Sequence, residues 1–268
     1  MAATPVAIGD YHVHSRFSDG HDGLAACVER ALQLGLPELG FGDHLTPAGG
    51  PDQGGGLDRR HLDDYVMAVR AVAAAYPELR VLAGVEVDYL PEAAEETLAL
   101  LASCPFDYVL CSVHFVDGFS IDEARFVTAA GWRDVDRVWR RYYETLTEAA
   151  RTGAFDVAAH LDLPKKWGFL ASEDLGELED RLLRAISAAG MAVEINTSGL
   201  DRHPVAEMYP AEDLLRRARQ AGIAVTFGSD AHSAAEVGSH FAQALELAGA
   251  AGHESWLRLS DGRQLQLP

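Results

Sequence analysis

Short apolar segments alternate with helix-like segments along the whole chain, and this alternation limits the possible folds more than any other feature. Seven predicted strands are each followed by a segment with helical spacing, without a glycine-rich nucleotide-binding fingerprint. Such an order predicts a parallel sheet covered by helices. It favours an α/β protein with a distorted (β/α)7, TIM-like barrel over an open doubly wound sheet. No linker interrupts the 268 residues, so we expect one domain, residues 1–268.

Turn residues and apolar spacing predict the boundaries of individual elements. We expect the first strand at residues 6–8, a helix at residues 57–76 and the last helix at residues 234–247. Residues 46–56, rich in glycine and proline, are predicted to form a loop. A hairpin is predicted near the end of the chain, with Asp261-Gly262 at its turn.

Potential metal ligands lie at the C-terminal ends of the predicted strands. They are His12, His14, His44, Glu86, His114, His160, Asp230 and His232. These strand ends meet on one face of a barrel, where such enzymes carry their active sites. Because imidazole and carboxylate bind zinc, iron and manganese, we predict a metal site on this face. Taken alone, His12 and His14 could simply be polar residues where a strand leaves the core.

The remaining histidines serve as a comparison for this pattern. His21, His61, His240 and His253 fall on predicted turns or helices, and we expect them to be ordinary surface residues. Histidines at strand ends therefore form a group distinct from histidines elsewhere in the chain.

The composition narrows the class of protein further. A net charge of −19 argues against broad binding to nucleic acid or to an anionic membrane. We find no apolar run long enough to span a membrane and no secretory leader. The three cysteines, Cys27, Cys104 and Cys111, lie in apolar segments. We therefore expect a cytoplasmic protein with reduced core thiols.

Seven motifs, taken in order, resemble those of the PHP (polymerase and histidinol phosphatase) family. They are Asp-Tyr-His-Val-His-Ser, Gly-Asp-His, Gly-Val-Glu-Val-Asp, Ser-Val-His-Phe, Ala-His-Leu-Asp-Leu-Pro-Lys-Lys, Glu-Ile-Asn-Thr-Ser-Gly-Leu and Gly-Ser-Asp-Ala-His. The resemblance extends from about Asp10 to Gly238, and within the family it is greatest to the histidinol-phosphate phosphatases. It implies a distorted seven-stranded barrel that holds three divalent ions, for which zinc, iron and manganese are all candidates.

The resemblance also implies a ligand set for each ion. The first ion would be bound by His12, His14, Glu86 and Asp230, and Glu86 would bridge to a second ion bound by His114 and His160. The third ion would be bound by Asp19, His44 and His232. Asp19 has an alternative interpretation, because Ser18-Asp19-Gly20 is also a typical turn.

The implied activity is hydrolysis of a phosphomonoester, and specifically of L-histidinol phosphate in histidine biosynthesis. Glu86, His114, His160 and Asp230 would be catalytic, with a hydroxide on the first two ions attacking phosphorus. The ligand set would bring a charge of about −3 to ions of about +6, which leaves a local excess that attracts phosphate. Two alternatives are a family member acting on nucleotides or short oligonucleotides, and a non-catalytic metal-binding module. The run at residues 112–118 favours the histidinol branch.

Substrate contacts are predicted on the loops after three strands. Lys165 or Lys166, Arg202 and His203 are candidates for binding phosphate, although each could instead belong to a solvated loop. Phe115, Asp117, Phe119 and Trp167 are candidates for contacting the imidazole and amine of the leaving group. Asp88 and Asp162 could orient histidine ligands or form strand-end hydrogen bonds. We expect the binding partner to be a small phosphorylated substrate.

Overall fold

Seven parallel strands form a nearly closed barrel. The structure, a computed structural model, describes residues 8–47, 56–128, 130–201 and 205–268. The barrel strands in spatial order are β1 (Asp10–Val13), β2 (Glu38–Phe41), β4 (Arg80–Asp88), β5 (Tyr108–Ser112), β8 (Val157–Ala158), β9 (Ala192–Asn196) and β10 (Val225–Gly228). A parallel bridge between Val13 and Ala231 joins the last strand to the first. The predicted distorted (β/α)7 barrel is therefore confirmed.

Shorter strands lie outside this circle. They are β3 (His44–Leu45), which pairs with β4, and two antiparallel hairpins, β6 (Phe115–Val116) with β7 (Phe119–Ser120) and β11 (Ser255–Arg258) with β12 (Arg263–Gln266). The second hairpin turns at Asp261-Gly262, as the sequence predicts. The first lies in the long connection after β5, close to the C-terminal face of the barrel.

Seven α-helices surround the barrel in the described ranges. They are α1 (Leu24–Leu34), α2 (Leu62–Ala75), α3 (Ala94–Ser103), α4 (Val135–Thr152), α5 (Gly176–Ala189), α6 (Glu212–Gln220) and α7 (Phe241–Ala250). Helix α1 ends at Gly35, whose positive φ of 70° lets its amide bond back to the carbonyls of Ala31 and Leu32. None of the helices in these ranges has the length and apolar character needed to span a bilayer.

A tyrosine fills the interior of the barrel and explains two glycines. The hydroxyl of Tyr108 donates to the carbonyls of Tyr11 (2.7 Å) and Phe41 (3.0 Å). A Cβ at Gly40 or Gly84 would lie 2.3 or 2.2 Å from Tyr108, so no side chain fits at either position. The core is therefore closed below the C-terminal face, and the polar site lies above it.

Three predicted element boundaries are wrong. The first strand begins at Asp10; Ile8 is buried but precedes the paired residues, and residues 6–7 lie outside the described ones. The helix predicted from residue 57 begins at Leu62. The helix predicted at residues 234–247 is divided into a 3-10 turn and α7, because Gly238 and His240 have positive φ values of 67° and 59°. Most of the predicted loop at residues 46–56 lies outside the described residues.

The structure also corrects one histidine and supports the thiol prediction. His253 is buried rather than at the surface, because its side chain packs against α6 with Nε2 3.3 Å from the Leu215 carbonyl. Cys27, Cys104 and Cys111 are all buried and free of disulfide bonds.

Candidate metal centre

All nine candidate ligands meet at the C-terminal mouth of the barrel. Parallel strands end at the same edge, so ligands that are far apart in sequence become neighbours. They are His12 and His14 from β1 and the residue after it, Asp19 from the next turn, His44 from β3, Glu86 from β4, His114 after β5, His160 after β8, and Asp230 and His232 after β10. The structure therefore brings together every residue that the motifs assigned to the metal site.

Glu86 is at the centre of this cluster. Its side chain is 1% exposed. Five imidazole nitrogens lie within 3.7 Å of its two oxygens: His160 Nε2 at 2.8 Å and His114 Nε2 at 3.7 Å from Oε1, and His44 Nδ1 at 2.8 Å, His12 Nε2 at 3.3 Å and His14 Nε2 at 3.7 Å from Oε2. A carboxylate in this position can face two ions at once, one through each oxygen.

The other two carboxylates extend the cluster towards the solvent. Asp230 Oδ1 lies 3.2 Å from His14 Nε2. Asp19 Oδ2 lies 3.3 Å from His232 Nε2 and 3.6 Å from His44 Nε2. Asp19 is 43% exposed, in contrast to Glu86. The cluster therefore has a buried part around Glu86 and a more open part around Asp19.

Within the part of the chain that the structure describes, three groups of ligand atoms are compact enough to hold an ion. Within each group the atoms lie within 4.8 Å of one another: His12, His14 and Glu86; His44, Glu86 and His114; and His14, Asp19, His44 and His232. His160 adjoins the second group through Glu86. His44 thus takes part in two groups, whereas the motifs assigned it to the third ion alone.

The hydrogen bonding of the cluster fits divalent cations. Among the described residues, six of its buried atoms lack a well-aligned hydrogen bond: His12 Nε2, both nitrogens of His14, His44 Nδ1, Glu86 Oε2 and His160 Nδ1. Buried polar atoms normally have partners, so a convergent group without them indicates missing ligand bonds. Imidazole and carboxylate together suit zinc, iron and manganese, so these residues fit a divalent metal.

The protonation states divide the histidines. Burial is outweighed at His44 by Glu86 and the other nearby carboxylates, which raise the pKa of His44 to about 10. Burial is likewise outweighed at His114 by Asp88 and Glu86, which raise the pKa of His114 to about 9, so an ion must displace protons from these rings. Burial, followed by the neighbouring His232 and His44, lowers the pKa of His14 to about 3, which favours the neutral imidazole that a metal needs. Burial raises the pKa of Glu86, but the surrounding histidines outweigh it and hold that pKa well below its ordinary value. The same balance holds for Asp230. The site thus combines a neutral imidazole at His14 with ionised carboxylates.

Two further carboxylates contact histidine ligands at the ring nitrogen that does not face Glu86. Asp88 Oδ1 lies 2.8 Å from Nδ1 of His114, which corresponds to the first of the two roles considered for Asp88, that of orienting a histidine. Glu194 Oε1 lies 2.6 Å from Nδ1 of His12. Sequence reasoning missed Glu194, although a carboxylate at an inward-facing position of a buried strand is a rare feature that could have identified it. Asp162 bonds to Lys165 instead of a histidine.

Two buried aspartates position the loops of the mouth. Asp43 accepts hydrogen bonds from the amide of Ser15 (2.8 Å) and the hydroxyl of Ser18 (2.6 Å), and so holds the turn that carries Asp19. Asp10 accepts hydrogen bonds from the amide and hydroxyl of Ser229, next to Asp230. Burial raises the pKa of Asp10 to about 6 despite these bonds.

A cavity of about 400 Å³ opens above the cluster. Seven candidate ligands line it, and its remaining wall includes Asp122, Glu123, Lys166, Trp167 and Tyr209. The ammonium of Lys166 pairs with Asp122 and lies 5.3 Å from the centre of the Trp167 ring. One side of the cavity is thus metal-binding and the other is acidic, basic and aromatic.

The structure changes the assignment of the phosphate-binding residues. Lys165 does not reach the cavity, because its ammonium is buried against the Met208 carbonyl (2.7 Å) and Asp162 (3.0 Å). In the 3-10 turn Leu163–Trp167, the next residue, Lys166, points to the cavity instead. Arg202 and His203 lie outside the described residues.

Three of the predicted leaving-group contacts also lie away from the cavity. Phe115 is buried in a small apolar cluster. Asp117 pairs with Arg137 at 2.8 Å, and Phe119 packs edge-on against Trp132. Of the predicted set, Trp167 alone is among the described residues that line the cavity.

Comparison with known proteins agrees with this geometry. Residues 10–198 match the PHP domain family, and residues 214–252 match a second family described as PHP-associated. The probable histidinol-phosphatase of Deinococcus radiodurans is 36% identical over 239 residues, which cover 88% of this chain and 91% of that protein. The histidinol-phosphatase of Bacillus subtilis is 30% identical over 264 residues, covering 88% and 98% respectively.

The fold also has solved counterparts. The histidinol phosphate phosphatase of Lactococcus lactis, crystallised with zinc, L-histidinol and phosphate, superimposes with a TM-score of 0.78 and 23% identity, covering 97% of this chain and 99% of that one. A putative histidinol phosphatase from Listeria monocytogenes gives a TM-score of 0.75 at 20% identity. At these identities the likeness establishes the fold. The family match over residues 10–198 and the 36% identical relative show that the chain belongs to the PHP family.

Proposed function

We propose that this protein is a metal-dependent phosphatase that hydrolyses L-histidinol phosphate to L-histidinol and phosphate in histidine biosynthesis. The observation that carries the proposal is a single buried carboxylate, Glu86, surrounded by five imidazoles at the base of a cavity large enough for a small phosphate ester. The activities named for the two curated relatives support the choice of substrate.

The proposed site holds three divalent ions. His12, His14, Glu86 and Asp230 would hold the first, and Glu86, His114 and His160 the second; Asp19, His44 and His232 would hold the third. Divalent ions in such a site lower the pKa of water and offset negative charge on phosphoryl oxygens. Glu86, His114, His160 and Asp230 are the residues that we assign to the reaction centre. Their role would be to supply the carboxylate and imidazole ligands that hold the first and second ions, with Glu86 contributing to both sites.

The protein's own side chains would bind the rest of the substrate. Lys166 is the cation in the described wall of the cavity, and we assign it the phosphate contact that the sequence left open between Lys165 and Lys166. Ser198 and Tyr209 line the same cavity. The hydroxyl of Ser198 lies 2.8 Å from Asn196 Oδ1 and 3.0 Å from Asp230 Oδ2, so its role there would be to hold Asp230 in place. A phosphate dianion is attracted here because the ions outweigh the nearby carboxylates.

The acidic and aromatic wall suits the leaving group. Histidinol carries an ammonium and an imidazole, which pair with carboxylates and stack on aromatic rings respectively. Asp122, which also pairs with Lys166, and Glu123, which also pairs with Arg125 at 2.6 Å, would supply the carboxylates. Trp167 would supply the ring. The ions bind any phosphate, so substrate preference must come from this wall.

Steady-state kinetics on a panel of phosphate esters test the proposal. We expect kcat/KM for histidinol phosphate to exceed that for glycerol phosphate by roughly 10²-fold, since two such contacts contribute about 3 kcal/mol. Glu123→Gln should reduce this ratio by about tenfold, because one carboxylate is lost. Asp117→Asn, outside the cavity, is the matched control and should leave the ratio unchanged.

The panel also separates the alternatives. A nucleoside monophosphate or glycerol phosphate within tenfold of histidinol phosphate would contradict the histidinol assignment and leave a general phosphatase. Absence of turnover on every ester in zinc-, iron- and manganese-loaded protein would instead favour a non-catalytic metal-binding module.

Three broader proposals accompany the activity. Barrel strand β10 lies in the PHP-associated match and pairs with β9 from the PHP match, which supports a single domain over residues 1–268. The free, buried thiols support a cytoplasmic location. The acidic charge supports a partner set limited to small molecules, without nucleic acid or membrane.

A further inference from the structure

Glu194 is a buried carboxylate that touches the metal centre without belonging to any of the predicted ligand sets. It lies in the middle of β9 and is 1% exposed. Its Oε1 lies 2.6 Å from His12 Nδ1, and its Oε2 accepts a hydrogen bond of 3.0 Å from the amide of His160. A single side chain therefore contacts ligands from two different strands.

The contact with His12 determines which way its ring faces. Nε2 of His12 points to Glu86 at 3.3 Å, while Nδ1 points to Glu194. A carboxylate can only accept at Nδ1, so the proton is held there and Nε2 keeps its lone pair for a metal. The imidazole is thereby held in the tautomer and orientation that a ligand needs.

The contact with His160 acts on the backbone. His160 has a positive φ of 25°, which is unfavourable for a residue with a side chain. The hydrogen bond from its amide to Glu194 stabilises this conformation, which places His160 Nε2 2.8 Å from Glu86. Glu194 thus supports a ligand on each side of Glu86.

The surroundings of Glu194 are built to accommodate it. A Cβ at Gly228 would lie 2.0 Å from Glu194 Oε1 and 2.6 Å from His12 Cβ, so glycine leaves the space that the carboxylate occupies. Asn196 donates to Glu194 Oε2 at 3.1 Å and lies 3.4 Å from Asp230 Oδ2. The carboxylate is therefore held in one position by neighbours on both β9 and β10.

We propose that Glu194 is a positioning residue that couples the first and second ion sites, by orienting His12 through its ring and His160 through its amide. This inference rests on the proposed metal site and goes beyond it by assigning a residue that binds no ion. Its removal should weaken binding of those two ions by roughly 10- to 100-fold, the usual effect of losing a carboxylate behind a histidine ligand. The third ion, held by residues that Glu194 does not contact, should be unaffected.

Glu194→Gln is the main test variant. It keeps the volume of the side chain but cannot accept hydrogen bonds at both positions. Glu38→Gln is the matched control, because Glu38 is also a buried carboxylate but lies at the start of β2, where it accepts a hydrogen bond from the hydroxyl of Tyr11. Glu194→Asp is a second variant that keeps the charge but shortens the reach, and it carries the test if the glutamine variant does not fold.

Zinc affinity and stoichiometry are the readouts, measured by chelator competition and elemental analysis alongside the unfolding temperature of metal-free protein. We expect both Glu194 variants to lose two of three zinc ions at a chelator concentration that leaves the wild type and Glu38→Gln loaded. Zinc affinity within twofold of the wild type in a folded Glu194 variant would overturn the role of Glu194 and leave the proposed metal site standing. A wild-type protein that binds no zinc would overturn the metal site as well.

Discussion

Glu86→Gln is the most direct perturbation of the proposed centre. The substitution preserves volume, removes one negative charge and replaces one oxygen with an NH₂ group that cannot bind a cation. Both oxygens of Glu86 face imidazole nitrogens, with the shortest contacts at 2.8 Å to His160 and His44. The side-chain NH₂ group of the variant must therefore face one of these two groups of histidines. If the imidazole nitrogens there bind ions, none of them can accept a hydrogen bond from it.

The magnitude follows from the charge that is lost. Two unit charges about 4 Å apart interact by about 4 kcal/mol at the effective dielectric constant of partly screened sites. Glu86 would face two divalent ions, and relaxation and water would offset part of this energy. We therefore expect at least about 2.7 kcal/mol of lost transition-state stabilisation, or roughly 10²-fold in kcat.

The assay combines kcat on histidinol phosphate with zinc content and thermal unfolding. Glu38→Gln controls for the insertion of a buried amide far from the site, and it should retain near wild-type kcat. Near-normal turnover in a folded, zinc-loaded Glu86→Gln protein would refute the bridging role. Reduced zinc content with normal turnover would refute the requirement for more than one ion.

Three further outcomes are expected. Because Asp19 and His232 are 43% and 25% exposed, zinc release to a chelator should be biphasic, with one ion per chain leaving first; simultaneous release of all ions would contradict the graded burial. Gly84→Ala should lower the unfolding free energy by at least about 2 kcal/mol in denaturant titration, since its Cβ would meet the Tyr108 ring. Burial lowers the pKa of His253, so its neutral form stabilises the fold above about pH 6.5 and that stability is lost as the pH falls. His253→Gln should therefore lessen the loss of unfolding temperature between about pH 7 and pH 5 relative to the wild type.

Sequence reasoning performed best where one local pattern repeats. Each barrel strand is an apolar run followed by a polar residue at its C-terminal end, so the fold and the convergence of His114, His160 and Asp230 both follow from strand order. Boundaries were less predictable because they depend on single backbone conformations. The positive φ values at Gly238 and His240, for example, divide a segment whose apolar spacing is continuous.

The sequence did not distinguish which of two adjacent, chemically similar residues faces the cavity. Lys165 and Lys166 are chemically equivalent in sequence, but the 3-10 turn that carries them buries Lys165 against Asp162 and directs Lys166 to the cavity. The hairpin after β5 similarly turns Asp117 towards Arg137, away from the mouth. Which of two adjacent side chains faces the cavity depends on the local backbone conformation. Residue composition and spacing do not predict that conformation.

The sequence by itself determined the fold class and eight of the candidate ligands, because strand periodicity and strand-end chemistry are local properties. Its motifs, by their resemblance, indicated the family and added Asp19. Only the tertiary structure decided that Glu194 lies behind His12, that Asp122 and Glu123 form the acidic wall, and that the cluster has a buried and an open part. Those facts depend on contacts between side chains far apart in sequence, such as His12 and Glu194, which are 182 residues apart. Such contacts exist only once the barrel has closed and brought its strand ends together.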